Sequence, residues 1–207
     1  MSDFIYLASQ SPRRKQLLEQ WGVRCELLLP DATEDVEALE VVKGAEAPVT
    51  YVQRVTGLKL QASVDRLRRR GWPPAPVLCA DTSVALGRRI LGKPSDAADA
   101  RRMLADLSGQ QHRVLTAVAV ARPTTRGTIR TWTALSASRV EFDDWSAADI
   151  RRYVASGEPM GKAGAYAIQG AAALHIRRIS GSYSGIMGLP AHETATLLRA
   201  ASVRLAC

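Results

Sequence analysis

The chain contains 207 residues, of which 46% are hydrophobic and 23% are charged. These values are close to those of ordinary globular domains, which argues against a disordered chain, and no apolar run is long enough to span a membrane. The first residues lack the basic and apolar segments of a secretion signal, so we expect a cytoplasmic protein. The length fits one domain, which we assign to residues 1–207.

The cysteines and histidines indicate neither disulfide bonds nor a zinc site. The three cysteines are widely separated without a Cys-x-x-Cys pair, and the three histidines show no metal-ligand spacing. The net charge of +8 fits either nucleic acid or an anionic small substrate. The basic residues are scattered without the interleaved aromatic residues of a nucleic-acid platform, so we do not expect a nucleic-acid partner and interpret the charge as a solvated surface.

Lysine is scarce among the basic residues. Only five of the 28 are lysines, so arginine fills most positions where any cation suffices. We hypothesise that the lysines mark sites that need a compact ammonium group, because the two side chains differ in shape and hydration. Lys59, Lys93 and Lys162 fall in the segments with predicted chemistry discussed below, whereas Lys15 and Lys43 do not obviously fit the hypothesis.

The first predicted element is a buried strand over 4–8, which a tight turn connects to a helix. Ser11 suits the N-cap of that helix, and Pro12 suits its first position. Backbone N–H groups at a helix N-terminus attract anions, so the junction predicts a phosphate site. The alternative is an ordinary capped helix with solvated arginines. The side chains that would add donors and charge are Ser9, Ser11, Arg13 and Arg14.

An acidic loop over 30–35 follows a second predicted strand over 23–29. Its carboxylates suit a hard cation such as Mg²⁺, although such loops are also common as solvated segments. A long helix is then predicted over 48–70. Lys59 lies at the edge of its apolar stripe, where it either extends to water or reaches into a cleft. The stripe consists of Tyr51, Val52, Val55, Leu58 and Ala62.

The segment 77–83 is the anchor of the chain's predicted chemistry, because a short apolar strand there is expected to stop at Asp81 and Thr82. Ligands of open α/β sheets bind beyond the carboxyl ends of strands, although a lone acid is also a common turn residue. A hairpin over 83–94 should return Lys93 to the vicinity of Asp81. Residues 87–93 superficially match a Walker A loop, but Pro94 replaces the required Ser or Thr.

The second half of the chain predicts helices and strands in alternation. A helix capped by Ser95 is expected over 96–107, strands over 113–122 and 128–142, and a helix that begins with a capping box at Ser146. A strand over 171–179 and a closing helix over 191–203 complete the pattern.

The glycine-rich segment 161–170 carries Lys162, Tyr166 and Gln169. Its glycines allow close approach of a ligand, and the amide of Gln169 suits the edge of a nucleobase. The alternative is a bulged strand.

These motifs, taken together and in this order, resemble the Maf family of nucleotide pyrophosphatases over essentially the whole chain. The resemblance implies an α/β fold like that of the inosine-triphosphate pyrophosphatases, with a long bent mixed sheet flanked by helices and two lobes around a cleft. It also implies a homodimer. The implied reaction is hydrolysis of a nucleoside triphosphate to the monophosphate and pyrophosphate with Mg²⁺ or Mn²⁺, and the implied role is removal of non-standard nucleotides. The motifs are Leu7-Ala-Ser9-x-Ser11-Pro-Arg13-Arg14, Ala80-Asp81-Thr82, Gly92-Lys93-Pro94, Lys162-Ala-Gly-Ala-Tyr-x-Ile-Gln169-Gly170, Gly181-Ser-Tyr and Gly188-Leu-Pro190.

The resemblance also implies residue roles. Asp81 resembles the family's general base, and Glu34 with Asp81 its metal-site acids. The positions similar to the family's phosphate-handling residues are Ser9, Arg14, Lys59 and Lys93, and those similar to its specificity positions are Arg13, Thr82 and Gln169. The segment around Gln169 is similar to the subgroup that acts on dTTP and UTP. Cys79, Thr33 and the Thr56-Gly57 pair depart from the family pattern, and Thr33 bears on the metal site.

Two alternatives stay open at this point. One is the 7-methyl-GTP pyrophosphatase activity of the same family. The other is a non-enzymatic regulator of septum formation or a nucleic-acid-binding protein, for which the positive net charge is the direct support.

Overall fold

The computed structural model describes residues 2–32, 34–124 and 127–205. Its strands are β1 (Ile5–Leu7), β2 (Cys25–Leu27), β3 (Val77–Leu86), β4 (Arg89–Leu91), β5 (Gln111–Pro123), β6 (Ile129–Phe142) and β7 (Ile176–Ser180). Its α-helices are α1 (Pro12–Gln20), α2 (Pro48–Arg69), α3 (Ala97–Leu107), α4 (Ala147–Ala155), α5 (Tyr183–Met187) and α6 (Ala191–Ala200). Short 3-10 helices span Glu37–Glu40, Ala163–Ala165 and Ala171–His175.

The strands form one mixed sheet in the order β2-β1-β3-β5-β6-β7, with β4 paired to β3. Strands β1 and β2 run parallel to their neighbours, and the remaining pairs are antiparallel. The long strands β5 and β6 pair over their whole length, so they form the spine of the sheet. The predicted α/β class, with a long mixed sheet flanked by helices, is confirmed.

The sheet forks along one edge of β3, and this fork creates the cleft. Strand β5 occupies the other edge of β3 from Val77 to Ala85. On the forked edge, β1 pairs only with Val77 and Leu78, and β4 pairs only with residues 84–86. Among the described residues, no strand pairs with 79–83 on that side. Asp81 lies in the middle of this gap.

At one end of the sheet, helices cover both faces. At the other end, two further helices pack against the strands. Helix α2 covers one face through Leu60, Val64 and Leu67. Helices α1 and α6 cover the opposite face through Leu17, Leu18, Leu197 and Leu198. Helices α3 and α4 bury Leu104, Leu107, Ile150 and Tyr153 against the far ends of β3, β5 and β6. Two lobes therefore flank the fork.

Several predicted elements differ from the structure. The anchor strand does not stop at Asp81 but continues to Leu86, because β5 pairs with it as far as Ala85. Leu58 is 38% exposed, so the apolar stripe of α2 passes through Leu60 and Val64 instead. The N-cap of α3 is Asp96, whose carboxylate accepts from the Asp99 N–H, and not Ser95.

The glycine-rich region and the segment after it also differ from the expected strands. Residues 161–170 form turns around the 3-10 helix Ala163–Ala165, so the bulged strand is excluded. The predicted strand over 171–179 begins as the 3-10 helix Ala171–His175, and β7 follows it. None of the described helices combines the length and apolarity needed to cross a membrane.

Candidate functional site: a charged cavity at the fork of the sheet

A cavity of about 840 Å³ opens at the fork. The β1–α1 turn, the acidic loop, α2 and β3 form one end of it. Residues 161–168 form the other end, while Lys93 after the β3–β4 hairpin and residues 187–188 lie beside the first through their contacts with Glu40, Arg13 and Arg14. Of the predicted site residues, all but Gln169 line this cavity: Ser9, Arg13, Arg14, Glu34, Lys59, Asp81, Thr82, Lys93 and Lys162.

Asp81 and Thr82 reach the cavity from opposite faces of the sheet. Successive residues of a strand point to opposite faces, so neighbours in sequence contact different helices. Asp81 faces α2, where its Oδ1 lies 2.5 Å from Nζ of Lys59. Thr82 faces α1, where its Oγ1 lies 3.2 Å from Nη2 of Arg14. One dipeptide therefore joins both helices at the gap in the sheet.

Lys59 connects Asp81 to a second carboxylate, Glu40. The ammonium of Lys59 lies 2.7 Å from Oε1 of Glu40. Lys93 donates to the same carboxylate, at 3.3 Å to Oε1 and 3.1 Å to Oε2. Two acids and two ammonium groups thus alternate across the cavity. Lys93 and Asp81 line the same cavity, where Glu40 and Lys59 connect them.

Glu40 is a cavity residue that the sequence did not indicate. It ends the 3-10 helix Glu37–Glu40, and its backbone carbonyl accepts a hydrogen bond of 2.8 Å from the Tyr51 hydroxyl. Burial by itself raises the pKa of Glu40, but the ammonium groups of Lys59 and Lys93 outweigh it and hold the pKa below its usual value. Burial and the negative charges of Asp81 and Glu40 raise the pKa of Tyr51 to about 12.

Arg14 is the structural centre of the turn between β1 and α1. Its guanidinium donates to the Gly188 carbonyl at 2.8 Å, to Ser9 Oγ at 3.1 Å and to Thr82 Oγ1 at 3.2 Å. Burial lowers the pKa of Arg14, while the charge of Asp81 opposes that shift. An arginine stays protonated under such conditions, because its reference pKa is so high.

A directed hydrogen-bond chain continues from Arg14 through the sheet. The Thr116 hydroxyl donates to the Gly185 carbonyl at 2.7 Å, since a carbonyl can only accept. Thr82 must therefore donate to Thr116, at 3.0 Å, and accept from Arg14. The chain fixes the Thr82 hydroxyl as an acceptor toward Arg14. The methyl group and orientation of Thr82 are set by this buried network.

Gly188 allows the close approach of Arg14 to the turn after α5. Its φ is +119°, and a Cβ there would lie 3.3 Å from Nε of Arg14. Both observations favour glycine at this position. Arg13 is bound more loosely, by one hydrogen bond of 3.4 Å from Nε to the Met187 carbonyl.

The acidic loop lines the cavity, but its central carboxylate is engaged by arginine. Arg66 binds Glu34 in a bidentate manner, at 2.8 Å from Nε to Oε1 and 2.7 Å from Nη2 to Oε2. Arg69 adds a contact of 3.0 Å to Oε1. The hydrogen bond from Arg66 is the main reason that the pKa of Glu34 falls to about 2. Thr33, which bears on the predicted metal site, lies outside the described residues.

The opposite end of the cavity is built from turns and buried rings. Gly164 has a φ of +67°, and its backbone lies so close to β3 that a Cβ would be 2.9 Å from Val84. Its N–H donates to the Gly92 carbonyl at 3.0 Å, which joins this turn to the hairpin that carries Lys93. The sequence predicted that the glycines of this segment allow close approach of a ligand. At Gly164 the close neighbour is strand β3 of the protein itself.

Tyr166 lines the same end and is held from behind by His112. Its hydroxyl lies 2.8 Å from Nε2 of His112, and its ring packs edge-to-face on Phe142. Burial lowers the pKa of His112 to about 4, so the imidazole is neutral near pH 7.

Burial and the nearby charge of Arg13 lower the pKa of Lys162.

Gln169 is the predicted site residue that the structure does not bring to the cavity. It is exposed in the turn that follows Ile168, and Ile168 lines the wall in its place. The segment around Gln169 is a turn and not a strand. The expected contact of this amide with a nucleobase stays a prediction.

Asp81 and Glu34, the two predicted metal-site acids, both line the cavity. Asp81 directs an oxygen at a cationic position that Lys59 occupies, and Glu34 lines the same wall. Such hard oxygen ligands suit Mg²⁺ or Mn²⁺, which commonly complete their coordination with phosphate oxygens and water. No group of three or more His, Cys, Asp or Glu residues with metal-binding geometry occurs within 2–32, 34–124 and 127–205.

Two relatives resemble this chain over nearly its whole length, and a solved structure resembles about two thirds of it. A dTTP/UTP pyrophosphatase of Polaromonas sp. is 64% identical over 204 residues, which cover 99% of this chain and 98% of the relative. A dTTP/UTP pyrophosphatase of Albidiferax ferrireducens is 64% identical over 199 residues, which cover 96% of this chain and 97% of the relative. A crystal structure of a nucleoside-triphosphatase, named dITP/XTP pyrophosphatase, from Mycobacterium abscessus gives a TM-score of 0.37 at 18% identity and covers 67% of this chain and 73% of that one.

The family match includes both ends of the cavity. The family described as Maf-like protein matches residues 4–201, from the first strand through the last helix. The match therefore contains the turn before α1, the forked strand β3 and the glycine-rich segment that together line the site. The chain belongs to the Maf-like protein family.

Proposed function

We propose that the protein hydrolyses nucleoside triphosphates, with dTTP and UTP preferred, to the monophosphate and pyrophosphate. One observation carries the proposal. Asp81 contacts the ammonium group of Lys59 directly, and Glu40 connects Lys59 to the ammonium group of Lys93 in the same cavity. The relatives named for dTTP and UTP support the choice of substrate, since they match the chain almost end to end.

The triphosphate would bind along the cationic wall of the cavity. Lys59 and Lys93 supply point charges, and Arg13 with the first N–H groups of α1 supplies donors at the other side of the fork. The buried Arg14 supports this turn by its bonds to Ser9, Thr82 and Gly188, so its role is to keep the turn in shape. These residues favour a bound polyanion without any base contact.

Asp81 would direct the attacking water. It is 9% exposed, so it is reachable from the cavity while its orientation is fixed by Lys59. A carboxylate in that position orients a water molecule or accepts its proton as the water attacks the α-phosphorus. Asp81 and Glu34 are the residues that would hold a divalent cation, with Glu34 exchanging its contact with Arg66. When bound, Mg²⁺ or Mn²⁺ supplies charge stabilisation at the phosphoryl oxygens.

The nucleoside would lie toward residues 161–168 at the other end of the cavity. Tyr166 and Ile168 provide apolar wall there, and Lys162 provides a cation. Thr82 is anchored to Arg14 and Thr116, so its methyl-bearing side chain is a fixed feature of the site. We propose that this end of the cavity recognises the pyrimidine base.

The proposal extends to the assembly and location of the protein. We expect a homodimer, as the family resemblance implies, and a cytoplasmic location, where nucleoside triphosphates are available. Size-exclusion chromatography with light scattering tests the first expectation, since a monomeric mass would contradict it.

Pyrophosphate release from a panel of nucleoside triphosphates tests the function. We expect turnover of dTTP and UTP that requires Mg²⁺ or Mn²⁺ and is abolished by EDTA. Asp81→Asn keeps the size of the side chain and should lower turnover on the order of 10²- to 10⁴-fold. Preferred turnover of 7-methyl-GTP would contradict the substrate, and salt-dependent binding of nucleic acid without turnover would favour the regulator instead.

A further inference from the structure

Glu40 occupies the position in the cavity where an incoming phosphate would be expected. Its carboxylate accepts from Lys59 at 2.7 Å and from Lys93 at 3.1 Å and 3.3 Å. A carboxylate and a phosphate are both oxyanions, so they compete for the same ammonium groups. Asp81 retains Lys59 through its own contact of 2.5 Å, so Lys59 would stay in place if Glu40 left.

The charges of this cluster favour the exchange. Asp81 and Glu40 contribute two negative charges that balance those of Lys59 and Lys93. A triphosphate that binds both lysines while Glu40 stays would meet the repulsion of that carboxylate at short range. Departure of Glu40 removes the repulsion and frees both ammonium groups for the phosphates.

The segment that carries Glu40 is anchored through its backbone, so the Glu40 side chain can move away from the two lysines. The Tyr51 hydroxyl binds the Glu40 carbonyl at 2.8 Å, and Arg54 binds the next carbonyl, that of Val41, at 2.9 Å. These contacts hold the backbone and not the carboxylate. The side chains of Glu40 and Lys93 are 26% and 53% exposed, so water can solvate them once their ion pair opens.

We propose that Glu40 is a built-in competitor of the substrate's phosphates. It keeps Lys59 and Lys93 together in the free protein and gives up both ammonium groups when a polyphosphate binds. The inference rests on the proposed function only in that the ligand carries a phosphate chain. The chemical class of that ligand is a polyphosphate anion.

Calorimetric titration with inorganic tripolyphosphate tests the proposal on the full-length protein in EDTA. Glu40→Gln removes the charge and retains the shape, so it should bind tripolyphosphate about 3- to 10-fold more tightly than the wild type. The matched control is Glu46→Gln, which removes the same charge from the same connecting segment. Glu46 pairs with Arg54 outside the cavity lining, so this variant should bind within about twofold of the wild type.

Equal or weaker binding by Glu40→Gln would overturn the proposal, as would equal tightening by Glu46→Gln. Mn²⁺ binding, measured by electron paramagnetic resonance, should be unchanged in Glu40→Gln; a loss would make Glu40 a metal ligand and contradict its role as a competitor. If Glu40→Gln fails to fold, Glu40→Asp serves instead. Its shorter carboxylate reaches the lysines less well, so its tripolyphosphate binding should also be tighter than that of the wild type.

Turnover of dTTP by the wild type, measured in parallel, separates the two proposals. Tighter tripolyphosphate binding without dTTP turnover would leave the competitor role standing and contradict the proposed function. Turnover of dTTP without tighter tripolyphosphate binding by Glu40→Gln would support the proposed function and contradict the competitor role.

Discussion

The two ends of the cavity are stabilised by different means. At the Asp81 end, charged side chains from regular elements meet in short contacts, such as the 2.5 Å pair of Lys59 with Asp81 and the three bonds of Arg14. At the other end, the wall depends on backbone turns and buried rings, among them Gly164 against Val84 and His112 behind Tyr166.

We therefore expect the two ends to have different roles: the charged end binds the ligand, and the other end sets the shape of the cavity. Charges at the first end are already paired with one another, so a polyanion must exchange with existing contacts there. The other end presents few charges, and its form depends on positions that tolerate little added volume. Substitutions of the charges that face the cavity at the first end should therefore change binding and turnover strongly. Substitutions that break structural contacts, such as those of Arg14 at the first end or Gly164 at the second, should act through stability.

Arg14→Lys should give the largest loss of stability at the charged end. An ammonium group cannot reach Ser9, Thr82 and the Gly188 carbonyl together, so partly buried acceptors lose their donors. We expect the free energy of unfolding to fall by about 3 kcal/mol in urea denaturation. The neighbouring control Arg13→Lys removes one long hydrogen bond and should change it by less than about 1 kcal/mol. Equal losses in the two variants would contradict the central position of Arg14.

Gly164→Ala tests the shape of the other end against a matched glycine. Gly161 and Gly164 both have a positive φ, of +71° and +67°, but only at Gly164 would an added methyl group lie 2.9 Å from Val84. Backbone strain is therefore common to both alanine variants, and the clash is confined to one. Gly164→Ala should be less stable than Gly161→Ala by about 2 kcal/mol in denaturant unfolding. Indistinguishable variants would show that this approach is not tight.

His112 should make stability depend on pH near neutrality. Its pKa falls from 6.5 to about 4 on folding because it is buried. The unfolded chain then binds more protons between these values, so the free energy of unfolding falls as the pH falls through this window. From pH 7 to pH 5 the expected loss is about 2 kcal/mol.

Comparison with His112→Phe isolates this contribution. Phenylalanine keeps an aromatic ring against Phe142 and removes the titration, so the variant should lose less stability than the wild type between pH 7 and pH 5. Glu34 does not interfere between pH 7 and pH 5, since its pKa falls from 4.5 to about 2 and its stabilisation is lost as the pH falls from about 4.5 to about 2. Equal pH dependence in the two proteins would contradict the assignment.

Gln169→Ala should have the smallest effect. The side chain is exposed and lies off the cavity wall, so we expect the free energy of unfolding to change by less than about 0.5 kcal/mol. The ratio of dTTP to dGTP turnover should change by less than about threefold. A tenfold or larger loss of that ratio would contradict this expectation and favour the specificity role that the family resemblance implies for Gln169.

The charged end was largely predictable because its residues lie on regular elements. A buried strand fixed the place of Asp81, and the long helix put Lys59 beside it. The scarcity of lysine was also informative, since Lys59, Lys93 and Lys162 all line the cavity. The predicted end of the strand was wrong, because pairing with β5 continues beyond Asp81.

Other parts of the site depend on contacts that no local pattern reveals. Glu40 reaches Lys93 across 53 positions of sequence from an irregular segment, and Arg66 reaches Glu34 across 32. The placement of Gln169 was missed for a related reason. Tertiary contacts of Gly164 with Val84 and Gly92 fold that region into turns, although its small residues are compatible with a strand.

The most direct test of the account is hydrolysis of dTTP in water labelled with oxygen-18, followed by mass spectrometry of the products. If Asp81 directs water at the α-phosphorus, the label will enter the monophosphate, the pyrophosphate will remain unlabelled, and Asp81→Asn will form little of either product. Label in the pyrophosphate, or formation of a diphosphate with inorganic phosphate, would contradict this position of the attacking water and with it the proposed role of Asp81.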